Sequence, residues 1–186
     1  MVFGGGLRLM AVAAVAGIVA ACTGTPAPPC PGVSILGDAS EITLFAPGRG
    51  QDLTDVAYRG SIERVAGSCD YTRAGDSVTN TVAARLVATR GPAAQGNEST
   101  FVYFVAVVDK EENILARERF ESRFTFDANQ RQAAAIEEIE QIIPIRADLR
   151  GLDYDILVGF ELSPEQLEFN RQERQRRTGL PRLPGR

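Results

Sequence analysis

From Val78 to Thr89 the chain alternates strictly. Val78, Asn80, Val82, Ala84, Leu86 and Ala88 fall on one side of an extended backbone, and the more polar Thr79, Thr81, Ala83, Arg85, Val87 and Thr89 fall on the other. A period of two fits a strand with one buried face and does not fit a helix, whose faces repeat every ~3.6 residues. Similar alternation recurs in short segments. Ile42–Phe45 reads as a short strand stopped by Ala-Pro-Gly, and an alternating run starts at Leu53 and extends through Ile62 and Val65. Phe101–Val108 (FVYFVAVV) is apolar on both sides, so it should lie at the centre of a sheet covered on both faces. The charged stretch 109–113 is a turn, Gly91–Ser99 is a loop, and Ile114 returns as a strand. Phe120, Ser122, Phe124 and Phe126 share one face, and the Phe stripe reads as core.

Residues 130–145 fit two patterns. Ala133, Ile136, Ile139, Ile142 and Ile143 suit a helix, whereas Ile139, Gln141, Ile143 and Ile145 suit a strand. The extended reading from Ile136 onward is preferred because of the next segment. There Tyr154, Ile156, Val158 and Phe160 alternate with Asp155, Leu157, Gly159 and Glu161, and Tyr154 opens the strand just after a turn holding Leu149 and Leu152. This resembles the tyrosine corner of immunoglobulin-like and fibronectin type III domains. The resemblance implies a buried Tyr154 whose hydroxyl meets backbone around 147–149. With about seven strands, it implies an all-β, immunoglobulin-like antiparallel sandwich over 33–162, alike in architecture only, since the chain has no Trp.

The N-terminus has a different character. Arg8 is the only charge in the first 37 residues, and Leu9–Ala21 is continuously apolar or small. Thirteen residues make a helix of roughly 20 Å, short of the ~30 Å hydrocarbon core of a bilayer. The segment therefore reads as a helical signal peptide over 1–21. Its end, Val19-Ala20-Ala21-Cys22, resembles the bacterial lipobox. That resemblance implies cleavage before Cys22 and acylation of Cys22. Two or three acyl chains, at ~0.8 kcal/mol per buried CH₂, anchor a protein stably, whereas one does not. Thr23 in the next position favours the outer membrane by the same resemblance. Residues 22–32 then form a Pro-rich tether.

With Cys22 acylated, Cys30 and Cys69 remain. Two leftover thiols in an exported protein usually pair, and both sit among turn-forming residues, Pro29-Cys30-Pro31-Gly32 and Gly67-Ser68-Cys69-Asp70. A structural Cys30–Cys69 disulfide is expected.

Ser163-Pro164-Glu165-Gln166 is a helix start: Ser caps, Pro suits the first turn and Gln completes a capping box. The helix should run over 163–177, with only Leu167 and Phe169 as an apolar face, and 178–186 reads as a disordered basic tail. Residues 23–162 carry 21 acidic and 13 basic residues, whereas 163–186 carry 3 and 6. Arg171, Arg174, Arg176 and Arg177 are therefore candidates for contact with anionic headgroups or a partner. The competing reading is that they complement the helix dipole.

The run as a whole resembles a group of small bacterial lipoproteins with no established activity. The likeness rests on Cys30-Pro31, Ala88–Ala94, Tyr103–Asp109 and Val158–Arg171. It implies a fold and no mechanism.

The chain has no His, which removes Ser–His and Cys–His catalysis and the commonest metal ligand. Its net charge of −4 argues against nucleic acid. Asp109, Glu111, Glu112 and Asn113 read as a solvated turn, and Glu137, Glu138 and Glu140 as the wet side of their element. The expectation is a non-enzymatic scaffold or protein-binding lipoprotein without cofactor or metal. Its partners would be the membrane and another envelope protein. The alternatives are a glycan- or peptidoglycan-binding module and, less favoured, a carboxylate-dependent hydrolase.

Overall fold

The computed structural model describes Met1, residues 28–146 and residues 148–179. Cys22, the signal segment, residues 23–27 of the tether and residues 180–186 lie outside the described residues. Eight strands run in the order β1 (Gly32–Ile35), β2 (Glu41–Phe45), β3 (Val56–Tyr71), β4 (Ser77–Arg90), β5 (Glu98–Asp109), β6 (Ile114–Thr125), β7 (Gln132–Pro144) and β8 (Tyr154–Phe160). Helix α1 (Pro164–Thr178) follows. The strands form two four-stranded sheets, ordered β1-β8-β5-β6 and β2-β3-β4-β7, packed as a sandwich. Every ladder is antiparallel except the short β1–β8 pair. The strand order is not the ABED/CFG order of immunoglobulin constant domains, so the likeness is one of layers.

The alternation in β4 is expressed almost without loss. Val78, Asn80, Val82, Ala84, Leu86 and Ala88 are all completely buried. β5 lies between β8 and β6, and Phe101 and residues 103–108 are all buried, as a strand covered on both faces requires. Its outward Phe104 is covered by the Arg117 guanidinium, 4.3 Å from the ring centroid, and Arg117 is held there by Glu161 at 2.6 Å. Residues 132–144 are a strand throughout, with Ile139, Gln141 and Ile143 turned into the core. A helix there would break thirteen ladder positions with β4.

Two local expectations fail. Gly67–Asp70 is not a turn. These residues are the last part of β3, paired to Val82, Thr81, Asn80 and Thr79, and the chain reverses only after Tyr71. Gly67 is needed for a close approach instead: a Cβ there would lie 2.5 Å from Val33 Cγ2, where β1 crosses over β3. Leu53–Asp55 is a 3₁₀ turn with an exposed Leu53, so β3 begins at Val56.

A sandwich has two open sides, and this one treats them differently. On the first, the edges are β1 and β2, joined by a 3₁₀ turn at Gly37–Ala39, and α1 packs on that turn and on β2. On the second, the edges are β6 and β7, twelve and thirteen residues long. No element among the described residues crosses that side.

Candidate functional site

The cationic face of α1 is occupied by the domain itself. Ser163 caps the helix by accepting from Gln166 N at 3.2 Å, and the Gln166 side chain accepts from Ser163 N at 2.9 Å. The helix then lies on the turn before β2. Phe169 meets Phe45 edge-on at 5.4 Å, and Asn170 Nδ2 donates to the carbonyl of Glu41 at 2.6 Å. Arg171 and Arg174 reach Asp38 at 3.0 and 2.6 Å, Arg177 reaches Glu41 at 2.8 Å, and Arg176 pairs with Glu173 along the helix at 2.6 Å. The four arginines are thus not a free basic patch. Three of them pair with carboxylates of the acidic body and Arg176 with Glu173 of the helix itself, and this polar strap adds to the thin apolar contact of Phe169 on Phe45. Each exposed pair is worth little alone, but several sharing Asp38 and Glu41 form a network.

The Arg177 guanidinium beside Glu41 holds that carboxyl below the usual glutamate range. Asp109 is lowered by its hydrogen bonds from Asn113 and Glu111, and Asp153 by Lys110 and the Arg150 backbone. All three carboxyls titrate lower when folded than when unfolded, so the unfolded chain takes up more protons as pH falls. Stability should therefore be level near neutrality and decline as pH drops through and below the 3.8–4.5 range of free carboxyls. Melting temperatures recorded from pH 7 to pH 3 check this, and Glu41→Gln should flatten part of the decline.

One end of the sandwich gathers several features. The β3–β4 turn, the β5–β6 turn, the β7–β8 connection and the entry of the chain at Pro29 all lie there. The chain entry is pinned twice. Cys30 is bonded to Cys69 of β3, with Cα atoms 5.7 Å apart, and the Tyr71 hydroxyl donates to the Pro29 carbonyl at 2.6 Å. Gly151 fits under this junction because any Cβ would collide with the Tyr71 hydroxyl and the Pro29 carbonyl. In the β5–β6 turn, Asp109 Oδ1 accepts from the backbone of Glu111 and Asn113 at 3.0 and 2.8 Å, and its Oδ2 accepts from Asn113 Nδ2 at 2.9 Å. The Asp109 carboxylate is consumed in closing its own turn.

Tyr154 opens β8 at this same end. It is buried, and its phenol oxygen accepts from the backbone N–H of Arg146 at 3.4 Å. The partner is thus backbone upstream, but one residue beyond the expected 147–149 window, and the hydroxyl is the acceptor. The bond is long, so Tyr154→Phe should cost only about 0.5–1.5 kcal/mol, read as a shift in the urea midpoint. Beside Tyr154 lies a cleft of about 460 Å³ whose floor is formed by Val107, Leu115, Ile142, Leu149 and Tyr154. Asp109, Arg146 and Asp148 stand at its rim.

The open side between β6 and β7 is the other unusual surface. Glu137 does not lie on the wet side of its strand with Glu138 and Glu140. It turns between the sheets, where its Oε1 accepts from the buried Ser122 hydroxyl at 2.6 Å. Gln141, also turned inward, donates to Glu118 of β6 at 3.4 Å. Burial pushes the Tyr103 phenol far above the usual tyrosine range, and the charge of Glu137 adds to the shift, so this hydroxyl stays protonated. Nearby, the Asn80 amide is wholly buried with no protein hydrogen-bond partner at either atom, opposite Gln141 in the ladder. A seam of polar groups therefore separates the core from the two free strand edges. Sequence alternation placed Asn80 and Gln141 inside. Carried back two residues from Ile139, the same alternation puts Glu137 on this face as well, against the reading that grouped it with Glu138 and Glu140; what the alternation does not encode is its partner, Ser122, across the seam.

Among the described residues, no three acidic, Cys or His side chains are grouped to hold a metal ion, and no aromatic side chain is exposed. Compared with protein-family models, curated proteins and solved structures, the chain has no match in any of the three.

Proposed function

We propose that this chain is a non-enzymatic binding module of a bacterial cell envelope. It is anchored through acylated Cys22, faces the periplasm and engages another envelope protein along the side where β6 and β7 are free. Thr23 after the acylated cysteine favours the outer membrane. The observation that carries the binding role is the asymmetry of the sandwich: one side is strapped by α1, and the other presents two long unpaired strand edges. A free edge offers a row of backbone donors and acceptors to an incoming strand. The charges that guard these edges, Arg119 and Arg123 on β6 and Glu138 and Glu140 on β7, disfavour nonspecific pairing and select a partner of complementary charge. The glycan alternative has less support, because a sugar platform needs exposed rings and none of the described tyrosines and phenylalanines is exposed.

The anchor is tested by metabolic labelling with a palmitate analogue. The wild type should be labelled, and Cys22→Ala should remain unprocessed or unlabelled. The binding side is tested with photocrosslinking amino acids at 123 and 138, and at 176 on α1. One discrete envelope-protein adduct from 123 or 138, absent from 176, supports the reading. Adducts that are absent at the seam or identical at all three sites overturn it.

A further inference from the structure

The end of the sandwich where the chain enters is also its most apolar exposed surface. Among residues 28–179, the exposed large hydrophobic side chains are Leu36, Leu53, Ile114, Leu115, Ile136, Ile142 and Leu152. Four of these seven, Ile114, Leu115, Ile142 and Leu152, lie at this one end. Ile114 and Leu115 follow the β5–β6 turn, Ile142 sits opposite Thr79 near the close of β7, and Leu152 is next to Gly151, which touches Pro29. The apolar cleft opens among them. Scattered single hydrophobics are ordinary on a protein surface, but a group of this kind marks a contact.

We propose that this end rests on the lipid bilayer, with Leu115, Ile142 and Leu152 in the interfacial layer and the strands standing along the membrane normal. The proposal rests on the anchored reading and adds an orientation and a lipid contact to it. Length supports it. Pro29 is held to the fold by Tyr71 and by the neighbouring disulfide, so only six residues, or seven Cα–Cα steps, separate it from Cys22. Seven steps reach at most ~25 Å, part of which is used in passing the headgroups, which occupy roughly 6 Å on each side of the bilayer. β4, of fourteen residues, is about 46 Å long, so the opposite end, with Leu53, cannot take this place while the anchor is inserted. The charges agree with a neutral surface. Around the apolar group the acidic Asp76, Asp109, Glu111, Glu112 and Asp148 outnumber Arg73, Lys110, Arg146 and Arg150, a mixed set with an acidic excess that suits zwitterionic headgroups and disfavours an anionic surface. In this posture the β6/β7 side faces sideways, open to a protein neighbour.

The chain contains no tryptophan, so one introduced indole reports from a single position. The test uses Leu152→Trp, Leu115→Trp and, at the far end, Leu53→Trp. Each exported protein is purified, its acylation is read by mass, and it is reconstituted into vesicles of phosphatidylcholine with brominated acyl chains. All three sites are exposed, and circular dichroism confirms that each variant folds. Loss of more than half of the emission at 152 or 115, with emission at 53 unchanged, is the expected result. Acylated protein with no quenching at 152 and 115, or with equal quenching at 53, overturns the orientation and leaves the anchor intact. A mass without acyl groups overturns the anchored reading, and the orientation falls with it.

Discussion

Phe101→Ala should destabilise the domain by about 3–5 kcal/mol, the range for a fully buried aromatic. Phe101 is only 1% exposed and sits where the two sheets meet. Its ring is 5.7 Å from Phe124 and 5.8 Å from Phe160, so β5, β6 and β8 all lose packing when it goes. The facing residue on β3 is Gly60, which has no side chain to swing into the space, and a Cβ built there would already lie 2.8 Å from Ile42. The cavity therefore cannot collapse easily, and residual cavity volume is what raises the cost of such substitutions. Phe101→Leu should cost much less, and Phe120→Ala, at the half-open β6/β7 side, should fall between. Urea denaturation checks the series: the midpoint should move while the slope stays constant. A Phe101→Ala cost below about 1 kcal/mol would mean that the sheets can close over the gap, contrary to this packing.

Removing the disulfide with Cys30→Ala/Cys69→Ala should cost about 4 kcal/mol. The bond closes a loop with a sequence separation of 39, and the chain-entropy model gives this magnitude for a loop of ~40 residues. For a chain of this size that corresponds to a fall in melting temperature of roughly 8–16 °C. The loss should not be evenly spread. β1 has only four residues, paired on one side to β8, and its N-terminal end is held by Cys30 and by the Tyr71–Pro29 hydrogen bond. Amide exchange should therefore accelerate first at Val33–Ile35 and Leu36, whose N–H donates to Val158. Unchanged midpoints with and without reductant would show that the bond does not form in the folded protein. The chain at Pro29 would then no longer be fixed to one end of the sandwich by this bond, and the proposed anchor would constrain orientation much less.

Acid sensitivity and the weak Tyr154 effect test smaller parts of the same picture. Tyr154 illustrates how far a motif carries. Burial and an upstream backbone partner follow from a tyrosine at the start of a strand after a turn. The partner's identity, Arg146 N, depends on how the β7–β8 connection folds back, and the local pattern does not encode that.

What the sequence by itself determined is what repeats every two residues or lies within one helical turn. The buried row of β4, the two-faced β5, the inward Phe124 and Phe126, and the Ser163–Gln166 capping box are of this kind. Each is dictated by whether neighbouring side chains face water or core. The Cys30–Cys69 pairing was legible too, by elimination among three cysteines. The tertiary structure alone decided which strands became edges, and therefore which side of the sandwich is strapped and which is free. It set Ser122 across from Glu137 and kept Gly67 in a strand, so that β1 could cross over it. It also paired Arg171, Arg174 and Arg177 with Asp38 and Glu41, more than 130 positions away. Such contacts leave no periodic trace, because a charge on a solvated helix and a charge in a long-range ion pair occupy the same kind of position in the chain. Only the docking of α1 on β2 and the turn before it distinguishes them.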